Sequence, residues 1–200
     1  NCFGCYKVQA NPKNVVDLIK LYLIFDQLDL KNNNNRKTFC EIRPYVKSTY
    51  VGFIYCYSFE EASEVKNKLE KLYSKFIDKN NKIWIKRGCS EFSLAYPDYK
   101  QTNKKAKNFM KYNENWKEKE KIIDNKIPER DKISKRFSKK HITGINLHDV
   151  LSIRNWLVYA KKINDESYKK IYSDNLYSSY IDHTLSNQIK IRMDNFLSKN

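Results

Sequence analysis

Apolar residues in the first hundred positions follow two different spacings. Four stretches rich in β-branched and aromatic residues lie between polar, turn-forming segments and predict β-strands. Two other stretches carry apolar residues at every third or fourth position, which predicts helices that each bury one face. The predicted strands are residues 3–10, 37–43, 49–57 and 83–87, with an alternative end of the last strand at 96, and the predicted helices are residues 15–28 and 58–76.

The order of these elements is strand, helix, strand, strand, helix, strand, which is the split βαβ pattern of ferredoxin-like domains. This pattern predicts an α+β fold, βαββαβ, with an antiparallel sheet of strand order 4-1-3-2. Both helices are then expected on one face of the sheet. The other face is left open, and an open sheet face is a surface to which a partner can bind.

The composition changes after residue 97. The following segment is rich in Lys with scattered aromatic residues, and predicts an arm with one polar helix at residues 115–126. A further helix is predicted to begin at Asn146, because Asp149 follows three residues later as in an N-terminal cap. The expected segments are a ferredoxin-like domain at residues 1–97, a basic arm at residues 98–144 and a helical C-terminal extension at residues 145–200.

The formal net charge of the chain is +16, and the charge is concentrated in the arm. Residues 100–140 contain 15 Lys or Arg against 6 Asp or Glu, which is +9 of the total. Such a surface favours anionic partners, nucleic acid above all. The alternative is a coding bias, since Lys accounts for 32 of the 39 basic residues. In that case the Lys-rich arm is only a solvated surface.

Five cysteines all lie in the first 89 residues, and the predicted topology gathers them at one end of the sheet: Cys2, Cys5, Cys40, Cys56 and Cys89. Four thiolates can hold Zn²⁺ in a tetrahedron or an iron–sulfur cluster. The candidate ligands are Cys2, Cys5, Cys56 and Cys89. Two alternatives remain open, namely a redox-active pair of Cys2 and Cys5, and unliganded thiols of which Cys40 and Cys56 are small core residues.

The third predicted strand contains Gly52, Phe53 and Tyr55. In these residues it resembles the corresponding strand of the RNA-recognition motif, because they match the glycine and two of the aromatic positions of the family octamer. The departures from the octamer are Val51 for the basic residue, Ile54 for the small residue and Ser58 for the last aromatic residue. Tyr6 on the first strand corresponds to the other stacking position of the family, although Lys7 replaces an aliphatic residue there.

The resemblance implies binding of RNA on the open sheet face, with bases stacked on aromatic rings and phosphates bound by Lys and Arg. The candidate nucleic-acid-binding residues are Tyr6, Lys7, Arg43, Phe53, Tyr55, Tyr57 and Arg87. The alternative is that the helical extension packs over this face and closes it. We predict that the extension packs beside the sheet and leaves Phe53 and Tyr55 at least partly exposed.

Two other classes of function remain open. One is a metal- or thiol-dependent enzyme, or a subunit of one, with its site at the cysteine end of the sheet; no motif identifies a reaction or a catalytic residue. The other is a protein interaction domain that binds its partner through the helical extension. No apolar run is long enough to span a membrane, so a soluble protein without a membrane partner is expected.

The odd number of cysteines and the lack of a signal-peptide pattern predict a reduced, cytoplasmic protein. Because the chain starts at Asn1 and not at Met, we expect a fragment or a processed form.

Overall fold

The structure is a computed structural model that describes residues 4–80, 82–126, 145–172 and 179–198. In these residues the chain forms a mixed α+β fold with a four-stranded antiparallel sheet and six α-helices. The strands are β1 (Tyr6–Ala10), β2 (Arg36–Cys40), β3 (Tyr50–Cys56) and β4 (Trp84–Arg87). The helices are α1 (Val15–Gln27), α2 (Phe59–Phe76), α3 (Ser90–Ala95), α4 (Glu114–Asp124), α5 (Leu147–Lys162) and α6 (Ser179–Leu197).

Hydrogen bonds join the strands in the order β2-β3-β1-β4, and each neighbouring pair is antiparallel. Counted from β4, this is the order 4-1-3-2 that the sequence predicts. The register places Val8 of β1 between Ile54 of β3 and Ile85 of β4. Because side chains alternate along a strand, these three residues share one face of the sheet.

Helices α1 and α2 pack against that face and form the main core with β1 and β3. Gly52 of β3 lies where α1 approaches most closely. A Cβ atom at this position would lie 2.5 Å from Cδ2 of Leu21 and 3.1 Å from Cζ of Phe25. The absence of a side chain at Gly52 therefore allows α1 to sit directly on the sheet.

Helix α1 is capped by the side chain of Asn14, and α2 is capped by that of Ser58. Strand β2 and the segment that follows β4 differ from the sequence expectation. Strand β2 ends at Cys40, before the predicted end at residue 43. Strand β4 ends at Arg87, and the chain turns at Gly88, which has a φ of 70°, into the unpredicted helix α3.

The helical extension packs beside the sheet, as predicted. Buried residues of α5 and α6 form a second cluster with α1 and with Tyr50, on the helix-covered side. The carboxylate of Asp165 joins this cluster to the sheet, because it accepts hydrogen bonds from the Tyr50 hydroxyl and the backbone N–H of Val15, both at 2.7 Å. The members of this cluster from the extension are Leu157, Val158, Tyr159, Ala160, Ile163, Tyr168 and Phe196.

The first turns of α5 do not behave as expected. Asn146 and Asp149 form the predicted capping box. Leu147, Val150 and Leu151, however, are at least half exposed in the described part of the chain, although large apolar side chains favour burial. The apolar contacts of α5 in the described part of the chain begin at Ile153. Its first turn meets α1 through the carboxylate of Asp149, which accepts a hydrogen bond from the Tyr22 hydroxyl.

The described part of the arm, up to residue 126, lies against the end of the sheet and includes the predicted polar helix as α4. Trp116 of α4 contacts Phe92 and Tyr96, with ring centroids 5.8 and 5.2 Å apart. Lys104 forms a salt bridge of 2.7 Å with Glu60. No described helix combines the length and the apolar character that a bilayer crossing requires.

Candidate nucleic-acid interface

Five side chains from three strands lie together on the face of the sheet opposite to α1 and α2. We call Lys7, Lys37, Phe39, Phe53 and Tyr55 the aromatic platform. The register explains why they meet, since Lys7 pairs with Tyr55, Lys37 pairs with Phe53, and Phe39 pairs with Val51. The three rings and Lys7 are half-buried, and Lys37 is exposed.

Phe53 is the centre of the platform. Its ring centroid lies 5.7 Å from that of Phe39 and 6.3 Å from that of Tyr55. Aromatic pairs at this distance hold one another in defined orientations. The rings therefore form a continuous apolar surface along β2 and β3 rather than three independent side chains.

Two ammonium groups lie over these rings. Nζ of Lys7 is 5.4 Å from the Phe53 centroid and 5.5 Å from the Tyr55 centroid. Nζ of Lys37 is 5.1 Å from the Phe39 centroid and 5.7 Å from the centroids of both Phe53 and Tyr55. Each contact falls within the range of cation–π attraction.

This arrangement suits a ligand that has flat rings joined by phosphates. A nucleobase can take the place of an ammonium group over a ring, because both are attracted to the ring face. The flexible Lys side chain can then swing outward and bind the neighbouring phosphate. Positive charge and an aromatic stacking surface thus lie at the same place on the sheet.

Strand β4 extends the same face beyond β1. Trp84 pairs with Gln9, and Lys86 pairs with Lys7. Loss of water around the ammonium group, together with the positive charges of Lys7, Lys100 and Arg43, lowers the pKa of Lys86. A phosphate placed between these cations would relieve their mutual repulsion.

Two of the predicted binding residues lie on the other face. Tyr6 and Arg87 pair with each other across β1 and β4, in register with the core position Cys56. Tyr6 packs against Phe59 at a centroid distance of 5.9 Å. Arg87 is only 5% exposed and lies under the ring of Tyr99. Neither side chain can stack with or contact a ligand on the platform.

Arg43 and Tyr57 lie at the margins. Arg43 follows the end of β2 and binds both carboxylate oxygens of Glu41, at 2.9 and 2.6 Å. Tyr57 lies one residue beyond β3 and is 62% exposed. Both positions border the sheet and do not belong to the aromatic platform.

The sequence reasoning missed Lys37, Phe39 and Trp84. A signal for the first two was present, because Lys37 and Phe39 alternate along β2 as Phe53 and Tyr55 alternate along β3. Their register against β3 decides which face they occupy, and register depends on the length of the connection between the two strands. That connection is longer in the structure than the sequence prediction made it, because β2 ends earlier.

The cysteines divide between the two ends of the sheet. Cys5 and Cys89 lie at the end where β1 starts and β4 finishes, and the carbonyl of Cys5 accepts a hydrogen bond of 2.8 Å from Gly88. Cys56 is at the same end, and burial together with Glu61 and Cys5 raises the pKa of its thiol to about 12. Cys40 pairs with Tyr50 at the opposite end. The expectation that all five gather at one end is therefore wrong for Cys40.

No group of His, Cys, Asp or Glu within the described ranges has the arrangement of a metal site. Cys2, one of the four predicted ligands, lies outside these ranges, so the zinc or iron–sulfur site stays a prediction. Cys56 is buried, as the alternative of a small core residue requires.

Comparison of the chain with protein-family models, curated proteins and solved structures finds no match. The functional argument therefore depends on the geometry of the platform.

Proposed function

We propose that this protein binds single-stranded RNA on the aromatic platform, and that the sheet with α1 and α2 is a ferredoxin-like domain used in the manner of an RNA-recognition motif. The observation that carries the proposal is the arrangement of the platform. Lys37 lies within 5.7 Å of the ring centroids of Phe39, Phe53 and Tyr55. Lys7 lies within 5.5 Å of the last two.

Stacking provides the base-binding part of the interaction. A base stacked on an aromatic side chain contributes about 1–3 kcal/mol and needs no particular base edge. Phe53 and Tyr55 are two residues apart on one strand and form a T-shaped pair. Two successive unpaired bases can stack on the rings of Phe53 and Tyr55, whereas bases that are stacked inside a duplex cannot.

The position of the helical extension supports the proposal. In the described part of the chain, its buried residues contact α1 and Tyr50 on the helix-covered side, and they form no cluster with Phe53 or Tyr55. The arrangement that would have closed the platform, with α5 seated on these rings, is not the one adopted.

Charge supplies the phosphate-binding part. Lys7, Lys37 and Lys86 lie on the face itself. None of the paired positions of β1, β2 and β3 on this face is occupied by Asp or Glu. Neutralisation of phosphates by these Lys residues releases counterions, so binding must weaken as salt increases.

The test is to replace both Phe53 and Tyr55 by alanine and to measure binding of a fluorescent single-stranded RNA by anisotropy. We expect a loss of about 1–3 kcal/mol for each ring that stacks a base. Tyr45→Ala is the matched control, because Tyr45 is 76% exposed and lies off the platform beside Arg43. Circular dichroism must show that both variants are folded.

Equal affinity of the double variant and the wild type would refute the proposal. So would the absence of any binding at low salt, where the electrostatic contribution is largest. A duplex of the same sequence should bind more weakly than the single strand, because its bases are not free to stack on the platform.

A further inference from the structure

A pocket of about 200 Å³ lies at the end of the sheet, on the side away from the platform. We call it the end pocket. Its buried lining includes Tyr6, Arg87 and Tyr99, and its exposed lining includes Tyr57, Glu60 and Lys104. The arm closes one side of the pocket, since Tyr99 and Lys104 both belong to it.

Arg87 is the lining residue that indicates a ligand-binding pocket. Its guanidinium carbon lies 3.8 Å from the Tyr99 centroid and 4.7 Å from the Phe109 centroid. Nη1 donates a hydrogen bond of 2.6 Å to the carbonyl of Met110. Nε is buried and has no hydrogen-bond partner among the described residues. A buried cation with an unused donor is costly unless an anion is present.

The carboxylates around the pocket have other partners. Glu60 is bound to Lys104 at 2.7 Å, and Glu120 accepts a hydrogen bond from the hydroxyl of Tyr112. Among the lining residues, Arg87 and Lys104 contribute two positive charges and Glu60 one negative charge, which leaves the pocket with a net charge of +1. The lining therefore attracts an anion.

The shape of the donors indicates which anion. The planar guanidinium of Arg matches the oxygens of a phosphate and binds it through paired hydrogen bonds. Burial raises the pKa of Tyr99 to about 12, although Arg87 opposes the shift, so its hydroxyl keeps its proton at neutral pH. The volume lies below the roughly 300–1,000 Å³ of pockets that enclose a drug-sized ligand.

We infer that the end pocket binds a terminal phosphate group, with Arg87 as its buried donor and Lys104 at its mouth. The phosphate can belong to a small phosphate monoester or to the 5′ end of an RNA. This inference goes beyond the proposed RNA binding and does not depend on it, because the pocket and the platform lie on opposite faces of the sheet.

The primary test is titration of the wild-type chain with inorganic phosphate and, separately, with adenosine monophosphate, followed by calorimetry. We expect saturable binding with a Kd of about 1 mM or tighter. Lys104→Gln should weaken it about three- to tenfold, because it removes one cation and leaves Glu60 unpaired at the mouth. Lys105→Gln is the matched control, since Lys105 is exposed and does not line the pocket.

A second measurement identifies the source of the phosphate. Two single-stranded RNAs of the same sequence, one with a 5′-phosphate and one with a 5′-hydroxyl, are compared for affinity. A preference for the 5′-phosphate that Lys104→Gln abolishes supports the inference and assigns the pocket to RNA ends. Equal affinities together with saturable phosphate binding support it and assign the pocket to small monoesters.

Absence of saturable phosphate binding by the wild-type chain would overturn the inference. It would also be overturned if Lys104→Gln and Lys105→Gln had the same effect, because binding would then depend on overall charge. Neither result bears on the platform, since the proposed function is tested through Phe53 and Tyr55.

Discussion

Replacement of Tyr50 by phenylalanine tests how the helical extension is held beside the sheet. The Tyr50 hydroxyl is fully buried and donates a hydrogen bond of 2.7 Å to the carboxylate of Asp165, which is itself 1% exposed. The same carboxylate oxygen accepts the backbone N–H of Val15, and the other oxygen accepts that of Ser167. Three donors thus satisfy one buried charge, and the substitution removes one of them.

The expected loss follows from that geometry. A hydrogen bond to a charged group contributes about 1.5–3 kcal/mol, more than one between neutral groups. Tyr50→Phe should therefore lower the free energy of unfolding by about 1.5–3 kcal/mol, which corresponds to a decrease in Tm of about 3–12 °C in a chain of this size.

Urea denaturation followed by circular dichroism measures this change, with Tyr159→Phe as the control. The hydroxyl of Tyr159 is also buried, but it donates to a neutral acceptor, the carbonyl of Glu41, at 3.0 Å. We expect its loss to cost about 0.5–1.5 kcal/mol. If Tyr50→Phe proved no more destabilising than Tyr159→Phe, Asp165 would not be the charged anchor of the extension.

Three further predictions concern the core, a thiol and a carboxylate. Gly52→Ala should destabilise the fold by about 1–3 kcal/mol in urea denaturation, because its Cβ would lie 2.5 Å from Leu21; an unchanged midpoint would contradict the close approach of α1. Cys56, whose pKa is raised to about 12 mainly by burial, should react with a thiol reagent at pH 8 far more slowly than the same residue in the unfolded chain; equal rates would show that the thiol is accessible. Because its raised pKa belongs to the folded state, the stability from Cys56 is full below pH 9 and is lost as the pH rises toward 12. Burial opposes the shift, but hydrogen bonding to Arg43 lowers the pKa of Glu41, so the stability from this carboxylate is present above pH 4.5 and is lost in more acidic solution. Glu41→Gln should reduce the acid dependence of the unfolding free energy, and an unchanged dependence would contradict the role of the pair.

The sequence was sufficient for the order of the elements and for the rings on β3. Alternation alone places Phe53 and Tyr55 on one face and Ile54 on the other. The helical spacing in α1 and α2, with Ser58 as a cap, follows from local preferences that the packing does not override.

The sequence prediction placed Tyr6 and Arg87 on the wrong face of the sheet. Tyr6 alternates in phase with the buried residues Val8 and Ala10, which was a signal for the core face. Arg87 is buried because Tyr99 and Phe109 of the arm pack on it, and this contact joins segments that local patterns do not relate.

The exposure of Leu147 and Leu151 has a similar cause. The apolar stripe of α5 runs along its whole length, but its apolar contacts in the described part of the chain begin at Ile153. The first turn meets α1 through the polar side chain of Asp149, which accepts a hydrogen bond from Tyr22. The direction in which a helix crosses its neighbour decides which of its turns are covered, and periodicity does not contain that direction.

The most direct test of the account is to locate bound RNA on the sheet by ultraviolet cross-linking and mass spectrometry of the cross-linked peptides. If bases stack on the aromatic platform, the nucleotides must be attached to Phe39, Phe53 or Tyr55, and the attachment must disappear when excess unlabelled single-stranded RNA competes. Cross-links confined to the basic arm, with the peptides of β2 and β3 unmodified, would contradict the account.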